Sequence, residues 1–170
     1  EGLFKRIWGS DTDPDQETRG RILLAAASLF ANKGYAGTAV REIVAAAGVT
    51  KPTLYYYFRN KEDLYVRVLD HITASFRGLV DVTLSGPGSV RERLLALFDS
   101  TYALFREQLD LVRLVYSVFY GPQGAAPAYD FHSTHIYVDQ VVREILQRGV
   151  EAGELRSENL EEALFMLLGM

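Results

Sequence analysis

The chain has 170 residues and a formal net charge of −4, and 48% of its residues are hydrophobic. This composition is typical of a globular protein that is long enough to bury a core. The absence of cysteine excludes disulfide bonds and thiolate metal sites, and no apolar run reaches the length that a bilayer requires. We therefore expect a cytoplasmic protein that does not enter a membrane.

Charge is unevenly distributed along the chain. Residues 17–68 carry eight basic and four acidic side chains, a net +4, whereas residues 69–170 carry eight basic and fourteen acidic ones, a net −6. Such a division of charge favours contact between residues 17–68 and a polyanion. The alternative is that the charged side chains are divided by chance and lie on surfaces exposed to water. Residues 1–16 are expected to form an N-terminal arm, in which Lys5 and Arg6 are the basic side chains.

Three closely spaced helices are predicted in the first part. The first begins at Pro14 and ends at Gly34, because proline suits the first helical position and glycine adopts the left-handed conformation that follows a helix. We expect Thr38 to cap the second helix and Thr50 the third. Helices joined by such short turns must cross steeply, so residues 17–60 are predicted to form a helix-turn-helix domain.

Five further helices are predicted in residues 61–170. They follow from apolar positions at helical spacing, separated by capping residues and by Gly/Pro loops. Their caps or starts are placed at Asn60, Ser89, Asp110, the residue after Pro127, and Asn159. No segment alternates as a strand does, so the predicted fold class is all-α, with an N-terminal three-helix domain and a C-terminal helical bundle.

A stretch of about fifty residues carries a specific pattern. It comprises RGRILLAAASLF (19–30), GY (34–35), Thr38, VREI (40–43), AGVTKPTLYYYF (47–58) and KE (61–62). The apolar, glycine and aromatic positions of this stretch closely resemble the tetracycline-repressor (TetR) family, whereas the rest of the chain is similar only as a string of helices. The resemblance implies a transcriptional regulator that binds a pseudo-palindromic double-stranded DNA operator as a homodimer. It also implies a repressor that a small apolar or aromatic effector releases.

The third helix is predicted to expose a tyrosine-rich face. Leu54 and Phe58 lie one turn apart and should face the first two helices, which directs Tyr56 outward. By resemblance to the family, residues of the second and third helices and the start of the fourth contact bases, sugars or phosphates. These are Thr38, Val40, Arg41, Thr50, Lys51, Pro52, Thr53, Tyr55, Tyr56, Tyr57 and Lys61. The alternatives are packing of Tyr55 or Tyr57 against the fourth helix, and ordinary solvated charges at Arg41 and Lys61.

Aromatic residues are concentrated in the second part, where nine of the nineteen Tyr and Phe lie between Phe98 and Tyr137. The resemblance implies that this part, residues 61–170, binds the effector and forms the dimer. The predicted ligand-binding residues are Phe98, Tyr102, Phe105, Arg113, Tyr116, Phe119, Tyr120, Phe131, His135 and Tyr137. A filled aromatic core is the alternative for each aromatic residue. The last helix has an apolar stripe that needs a partner, either a further helix or a differently built dimer.

Other functions are less well supported. His132, His135 and Asp139 share a helical face, but they lack a fourth candidate ligand, so we assign no metal and no cofactor. The sequence lacks a cysteine nucleophile and a glycine-rich phosphate loop, which argues against an enzyme. The +4 charge of residues 17–68 argues against a protein-interaction module that has lost DNA binding.

Overall fold

The structure is a computed structural model that describes residues 14–122, 124–156 and 160–168. These ranges contain eight helices and no strand, which confirms the all-α prediction. The helices are α1 (Pro14–Gly37), α2 (Val40–Ala47), α3 (Lys51–Tyr57), α4 (Lys61–Leu84), α5 (Val90–Glu107), α6 (Leu109–Tyr120), α7 (His132–Glu151) and α8 (Leu160–Leu168). Most of the predicted arm, including Lys5 and Arg6, lies outside the described residues. Within them, no helix is long and apolar enough to span a membrane.

Side-chain caps begin three helices where the sequence predicts them. Thr50 Oγ1 accepts a hydrogen bond from the Thr53 N–H at 3.3 Å, and Asn60 Oδ1 accepts one from the Asp63 N–H at 2.8 Å. A reciprocal pair begins α5, in which Ser89 Oγ accepts from the Glu92 N–H and the Glu92 carboxylate accepts from the Ser89 N–H at 2.8 Å. These bonds satisfy N–H groups that have no acceptor within the helix.

Two predicted helix starts are wrong. Ala39, not Thr38, is the N-cap of α2, and its N–H donates to Glu42 Oε2 at 2.9 Å. Thr38 is 1% exposed, and its hydroxyl instead contacts the carbonyl oxygen of Gly34 at 2.8 Å. The seventh helix was expected directly after Pro127 but begins at His132, which lengthens the preceding loop.

Gly34 breaks the first helix, as the sequence predicts. Its φ is 70° and its ψ is 168°, a conformation that side-chain-bearing residues rarely adopt. The helical hydrogen bonding of α1 nevertheless resumes on the far side of this residue and continues to Gly37. The break therefore redirects the chain ahead of α2.

The described residues form two compact units. The first comprises the chain up to Ile72 together with Phe105–Tyr129, and the second comprises Thr73–Leu104 and Asp130–Met170. Helix α4 contributes residues to both units. The predicted domain boundary between residues 60 and 61 stays a prediction.

The core of the first unit joins the helix-turn-helix to the first half of α4. Its members are apolar side chains that are at most 1% exposed, and burial of each contributes about 1.5–3 kcal/mol to stability. They include Ile22, Leu23 and Phe30 of α1, Ile43 of α2, Leu54 and Phe58 of α3 and its end, and Leu64, Tyr65 and Val68 of α4. Helix α1 also packs against α6.

The second unit has a separate apolar core. It is built from α4, α5, α7 and α8, and its buried members are Val80, Leu84, Val90, Val142, Ile145, Leu146 and Leu164. The predicted stripe of the last helix is thus partly buried, since Leu164 is 4% exposed. Phe165 and Met166 of the same helix are exposed.

Two glycines inside helices are expected to respond oppositely to substitution by alanine. A Cβ at Gly149 would lie 2.6 Å from Val90 Cγ2, a buried side chain, whereas a Cβ at Gly78 would meet nothing within 4 Å. We expect Gly149→Ala to destabilise the protein by about 1 kcal/mol through overpacking. Gly78→Ala should stabilise it by about 0.5–1 kcal/mol, because alanine favours the helix. Urea unfolding measures both changes, and stabilisation by Gly149→Ala would contradict the packing described here.

Candidate nucleic-acid interface

One face of α3 is anchored in the core and the opposite face is exposed. Leu54 is fully buried and Phe58 is 1% exposed, so the helix cannot turn about its axis without losing this burial. Tyr56 is 78% exposed and Tyr55 is 42% exposed. Lys51 and Pro52 are exposed at the start of the same helix. The structure therefore presents an aromatic and basic surface to solvent, as the sequence predicts.

Tyr57 connects α3 to the first turn of α1. Its hydroxyl donates to Asp15 Oδ1 at 2.5 Å, and its ring meets the Tyr56 ring edge-on with 5.0 Å between centroids. The expected alternative was packing against α4. The described contacts hold its ring beside Tyr56, and its side chain is half-buried. Packing of Tyr57 against α4 stays a prediction.

Lys61 lies against an aromatic ring at the start of α4. Its Nζ is 4.2 Å from the centroid of the Tyr35 ring, well within the range of a cation–π interaction. The Tyr35 ring in turn meets the buried Tyr65 ring edge-on at 5.1 Å. Burial lowers the pKa of Lys61 from its usual value. The ammonium group is thus held in place and partly dehydrated.

Sequence reasoning did not assign a role to Tyr35. The residue lies in the Gly34-Tyr35 pair of the recognised pattern, which was the available signal. The cation–π contact, however, joins the end of α1 to the start of α4 across 26 positions of the chain. Helical periodicity relates only neighbouring residues, so it could not pair these two side chains.

Glu42 organises the charges at the start of α2. Its carboxylate forms an ion pair with Lys33 at 2.5 Å and accepts the N–H of Ala39. The hydrogen bond from Lys33, followed by that from Ala39, holds the pKa of Glu42 below its ordinary value. The neighbouring Arg41 is exposed and forms no ion pair within the described part of the chain.

Glu42 is expected to make stability depend on pH. Its pKa is lower in the folded state, so its contribution is complete above the unfolded pKa of about 4.3 and is lost as pH falls through the folded pKa. The free energy of unfolding should therefore fall more steeply below about pH 5 in the original protein than in Glu42→Gln. Glu151→Gln, which removes an exposed carboxylate, is the control. Identical pH profiles for the original protein and Glu42→Gln would refute this role.

The remaining residues of the predicted DNA-binding set have mixed exposure. Val40 and Thr53 are half-buried and Thr50 is exposed. The hydroxyls of Thr50 and Thr53 lie 2.8 Å apart and hydrogen bond to each other. Thr38 is buried, with its hydroxyl engaged by carbonyl oxygens, so the structure gives it a role in shaping the turn before α2.

The predicted ligand-binding residues are divided between the two units. Those at 105–120 belong to the first unit, and the others belong to the second. Phe131 is buried and Tyr137 is half-buried, whereas the other eight are exposed: Phe98, Tyr102, Phe105, Arg113, Tyr116, Phe119, Tyr120 and His135. Within α6, the rings of Tyr116 and Tyr120 stack at 5.7 Å. The grouping of all ten around one ligand stays a prediction.

A cavity of about 710 Å³ occupies a different part of the first unit. It lies between α1, the end of α2 and the junction of α5 with α6, where Leu24, Ala46 and Leu109 contribute to its wall. None of the ten predicted ligand-binding residues is among those that line it. In the described ranges, no group of three or more His, Asp or Glu side chains is arranged to hold a metal ion.

Comparison with known proteins matches the helix-turn-helix region to one family. The family model for bacterial regulatory proteins of the tetR family matches residues 22–68, which include α2, α3 and the start of α4. A crystal structure of a gamma-butyrolactone receptor (ArpA-like protein) has a TM-score of 0.70 and 28% identity, covering 91% of this chain and 76% of that chain. These matches support membership of the TetR family of transcriptional regulators.

Curated relatives of this chain include both an activator and a repressor of transcription. The transcriptional activator FasR of Mycolicibacterium smegmatis is 36% identical over 90 residues, which are 51% of this chain and 41% of that protein. The transcriptional repressor NemR of Escherichia coli K12 is 33% identical over 92 residues, 54% of this chain and 46% of that protein. The matches thus span less than half of each relative. Both relatives are named as HTH-type transcriptional regulators.

Proposed function

We propose that this TetR-family chain binds a pseudo-palindromic DNA operator as a homodimer and acts as a repressor that a small effector releases. The observation that carries the proposal is the orientation of α3. Burial of Leu54 and Phe58 fixes the helix, and Lys51, Tyr55 and Tyr56 are left on its exposed side. A short helix held in this way suits insertion into the major groove, which is wide enough to admit it.

Each proposed contact has a specific chemistry. Lys51 is a donor for the acceptor edge of guanine, and Tyr55 and Tyr56 offer rings to sugars and thymine methyl groups. Arg41 and Lys61 supply cations for phosphates on either side of the groove. Tyr57, whose hydroxyl donates to Asp15, supports the neighbouring Tyr56 ring. Thr38 is left out of the proposed surface because its side chain is buried.

A dimer doubles these contacts. Two recognition helices would enter successive major grooves, roughly one helical turn apart. An effector that favours a conformation in which this spacing is wrong lowers the affinity for DNA, with a coupling of about 1–3 kcal/mol.

Repression, as opposed to activation, and the presence of an effector are both part of the proposal. FasR is named an activator and NemR a repressor, so relatives of both kinds exist. The solved gamma-butyrolactone receptor is named for a small organic ligand, which supports a small effector here as well. Cytoplasmic residence remains a prediction.

Substitution of the exposed residues of α3 tests the proposal. We expect Lys51→Ala and Tyr56→Ala each to weaken operator binding by roughly ten- to a hundredfold, because a specific base contact contributes about 1–3 kcal/mol. A gel-shift titration on a duplex selected from a random library measures the change. Arg91→Ala removes an exposed cation of α5 and is the control. Unchanged affinity in both α3 variants would refute the proposed contacts.

A further inference from the structure

The start of α1 contacts the end of α3 at two points. The carboxylate of Asp15 accepts the hydroxyl of Tyr57 at 2.5 Å, across 42 positions of the chain. One turn further along α1, the guanidinium carbon of Arg19 lies 5.8 Å from the centroid of the Phe58 ring. Phe58 is buried, so it fixes the end of α3 in the core. The first two turns of α1 therefore hold the side chains that directly follow the exposed Tyr56.

The hydroxyl of Tyr57 has only one proton to donate. That proton is directed at the Asp15 carboxylate. The phosphates of DNA only accept hydrogen bonds, so Tyr57 cannot donate to a phosphate without giving up the bond to Asp15. Hydrogen bonds to a charged carboxylate are also stronger than those between neutral groups. The bond to Asp15 thus opposes the direct DNA contact that the family resemblance implies for Tyr57.

The ring of Tyr57 in turn supports the ring of Tyr56. The two rings meet edge-on, with 5.0 Å between centroids and 86° between planes, which is a favourable arrangement of aromatic rings. Tyr56 is 78% exposed, so immobilising it when DNA binds costs side-chain entropy. A ring that is already held beside Tyr57 has less of this freedom to lose.

The negative charge of Asp15 makes its location informative. A carboxylate beside a DNA-binding surface repels phosphates, so by its charge alone it lowers the affinity for DNA. Glu17 carries the same charge in the same turn of α1 and is exposed. These two acidic residues therefore separate the effect of charge from the effect of the hydrogen bond to Tyr57.

We propose that Asp15 is a positioning residue for DNA binding, which uses the Tyr57 hydroxyl to hold the Tyr56 ring where it meets a base or a sugar. Tyr57 then acts through Tyr56 and contacts no phosphate itself. The inference rests on the proposed function, because it takes Tyr56 to be a DNA contact. It assigns a role to a residue of α1, outside the helices that carry the proposed contacts.

Four variants of the full chain test the inference on a duplex that the original chain selects from a random library. Tyr57→Phe removes only the hydroxyl and should weaken binding roughly two- to tenfold, because Tyr56 then loses more freedom when DNA binds. Asp15→Ala should bind less tightly than Glu17→Ala, although both remove one negative charge. Asp15→Asn keeps an acceptor oxygen and should bind more tightly than Asp15→Ala. Equal affinity of Asp15→Ala and Glu17→Ala would overturn the inference.

The Tyr56→Ala background separates positioning from a direct contact. If Tyr57 acts through Tyr56, adding Tyr57→Phe to Tyr56→Ala should change the affinity by no more than roughly twofold, because coupled side chains are not additive. Adding Tyr57→Phe to Asp15→Ala should likewise cause little further loss. A phosphate contact or a merely structural role of Tyr57 predicts instead the same loss in every background. That equal loss would overturn the inference.

A measurement without DNA tests the positioning directly. NMR relaxation of aromatic side chains reports the mobility of the Tyr56 ring in the free chain. This ring should become more mobile in Tyr57→Phe and in Asp15→Ala, and should keep its mobility in Glu17→Ala. An unchanged Tyr56 ring in the first two variants would overturn the inference.

Failure of the inference is distinguishable from failure of the proposed function. If Tyr56→Ala weakens binding to the selected duplex and Tyr57→Phe does not, only the positioning by Asp15 is refuted. If the original chain selects no duplex, the proposed function is refuted, and the mobility of the Tyr56 ring still decides whether Asp15 holds it.

Discussion

Replacement of Phe58 by alanine is expected to lower the free energy of unfolding by about 3–5 kcal/mol. Phe58 is 1% exposed at the end of α3, and its ring lies 5.8 Å from the guanidinium carbon of Arg19 in α1. Removal of the ring leaves a cavity where α3 joins the core, and the neighbouring side chains can fill it only in part. Urea unfolding measures the loss.

Tyr56→Ala is the matched control for Phe58→Ala. It removes an aromatic ring two residues earlier, from a side chain that is 78% exposed, and should change stability by no more than about 0.5 kcal/mol. The two variants thus separate stability from DNA binding, since Tyr56→Ala should weaken operator binding in a fully folded protein. A stability loss in Tyr56→Ala equal to that in Phe58→Ala would contradict the described orientation of α3.

Replacement of Lys61 by methionine is expected to have the second large effect, on the salt dependence of operator binding. If Lys61 of each chain neutralises one phosphate, its loss reduces the slope of log affinity against log salt by about 0.9 per chain, or about 1.8 for the dimer. At 0.15 M salt, affinity should fall roughly tenfold or more. Fluorescence anisotropy at several salt concentrations measures both quantities.

The position of Lys61 explains why this effect should be large. The Tyr35 ring already holds the ammonium group at 4.2 Å, so little side-chain freedom is lost when a phosphate binds. Arg91→Met is the control for loss of one exposed cation. An unchanged slope in Lys61→Met would show that this ammonium group contacts no phosphate.

Much of the fold could be predicted from the sequence because the relevant interactions are local. The caps at Thr50, Asn60 and Ser89 each act on an N–H group three residues away, and a sequence pattern records that spacing directly. The cap of α2 could not be predicted in this way. Thr38 also precedes a helix, but its hydroxyl turns back to the carbonyl oxygens of Leu29 and Gly34, a choice that depends on the break in α1.

The exposed face of α3 could be predicted, whereas the surroundings of the charged groups could not. Periodicity places Leu54 and Phe58 on one side of the helix and therefore leaves Tyr56 on the other. The contacts of Lys61 with Tyr35, and of Arg77 with Thr134, join residues that lie far apart in the chain. They depend on how helices pack, which a single sequence does not record.

The aromatic residues between Phe98 and Phe131 illustrate the same limit. A stripe of rings at helical spacing is compatible with a core, a ligand or a second chain. Phe131 is buried, whereas Phe98, Tyr102 and Tyr120 are 48%, 70% and 80% exposed. Their exposure shows that Phe98, Tyr102 and Tyr120 do not belong to a filled core, which periodicity alone could not show.

Selection of bound duplexes from a random DNA library, with the full chain as bait, tests the central claim most directly. The account predicts enrichment of a pseudo-palindrome whose half-sites lie roughly one helical turn apart, bound by two chains and weakened by added salt. Lys51→Ala should alter the preferred bases within each half-site. Failure to enrich any sequence, combined with no salt-dependent binding to duplex DNA, would contradict it.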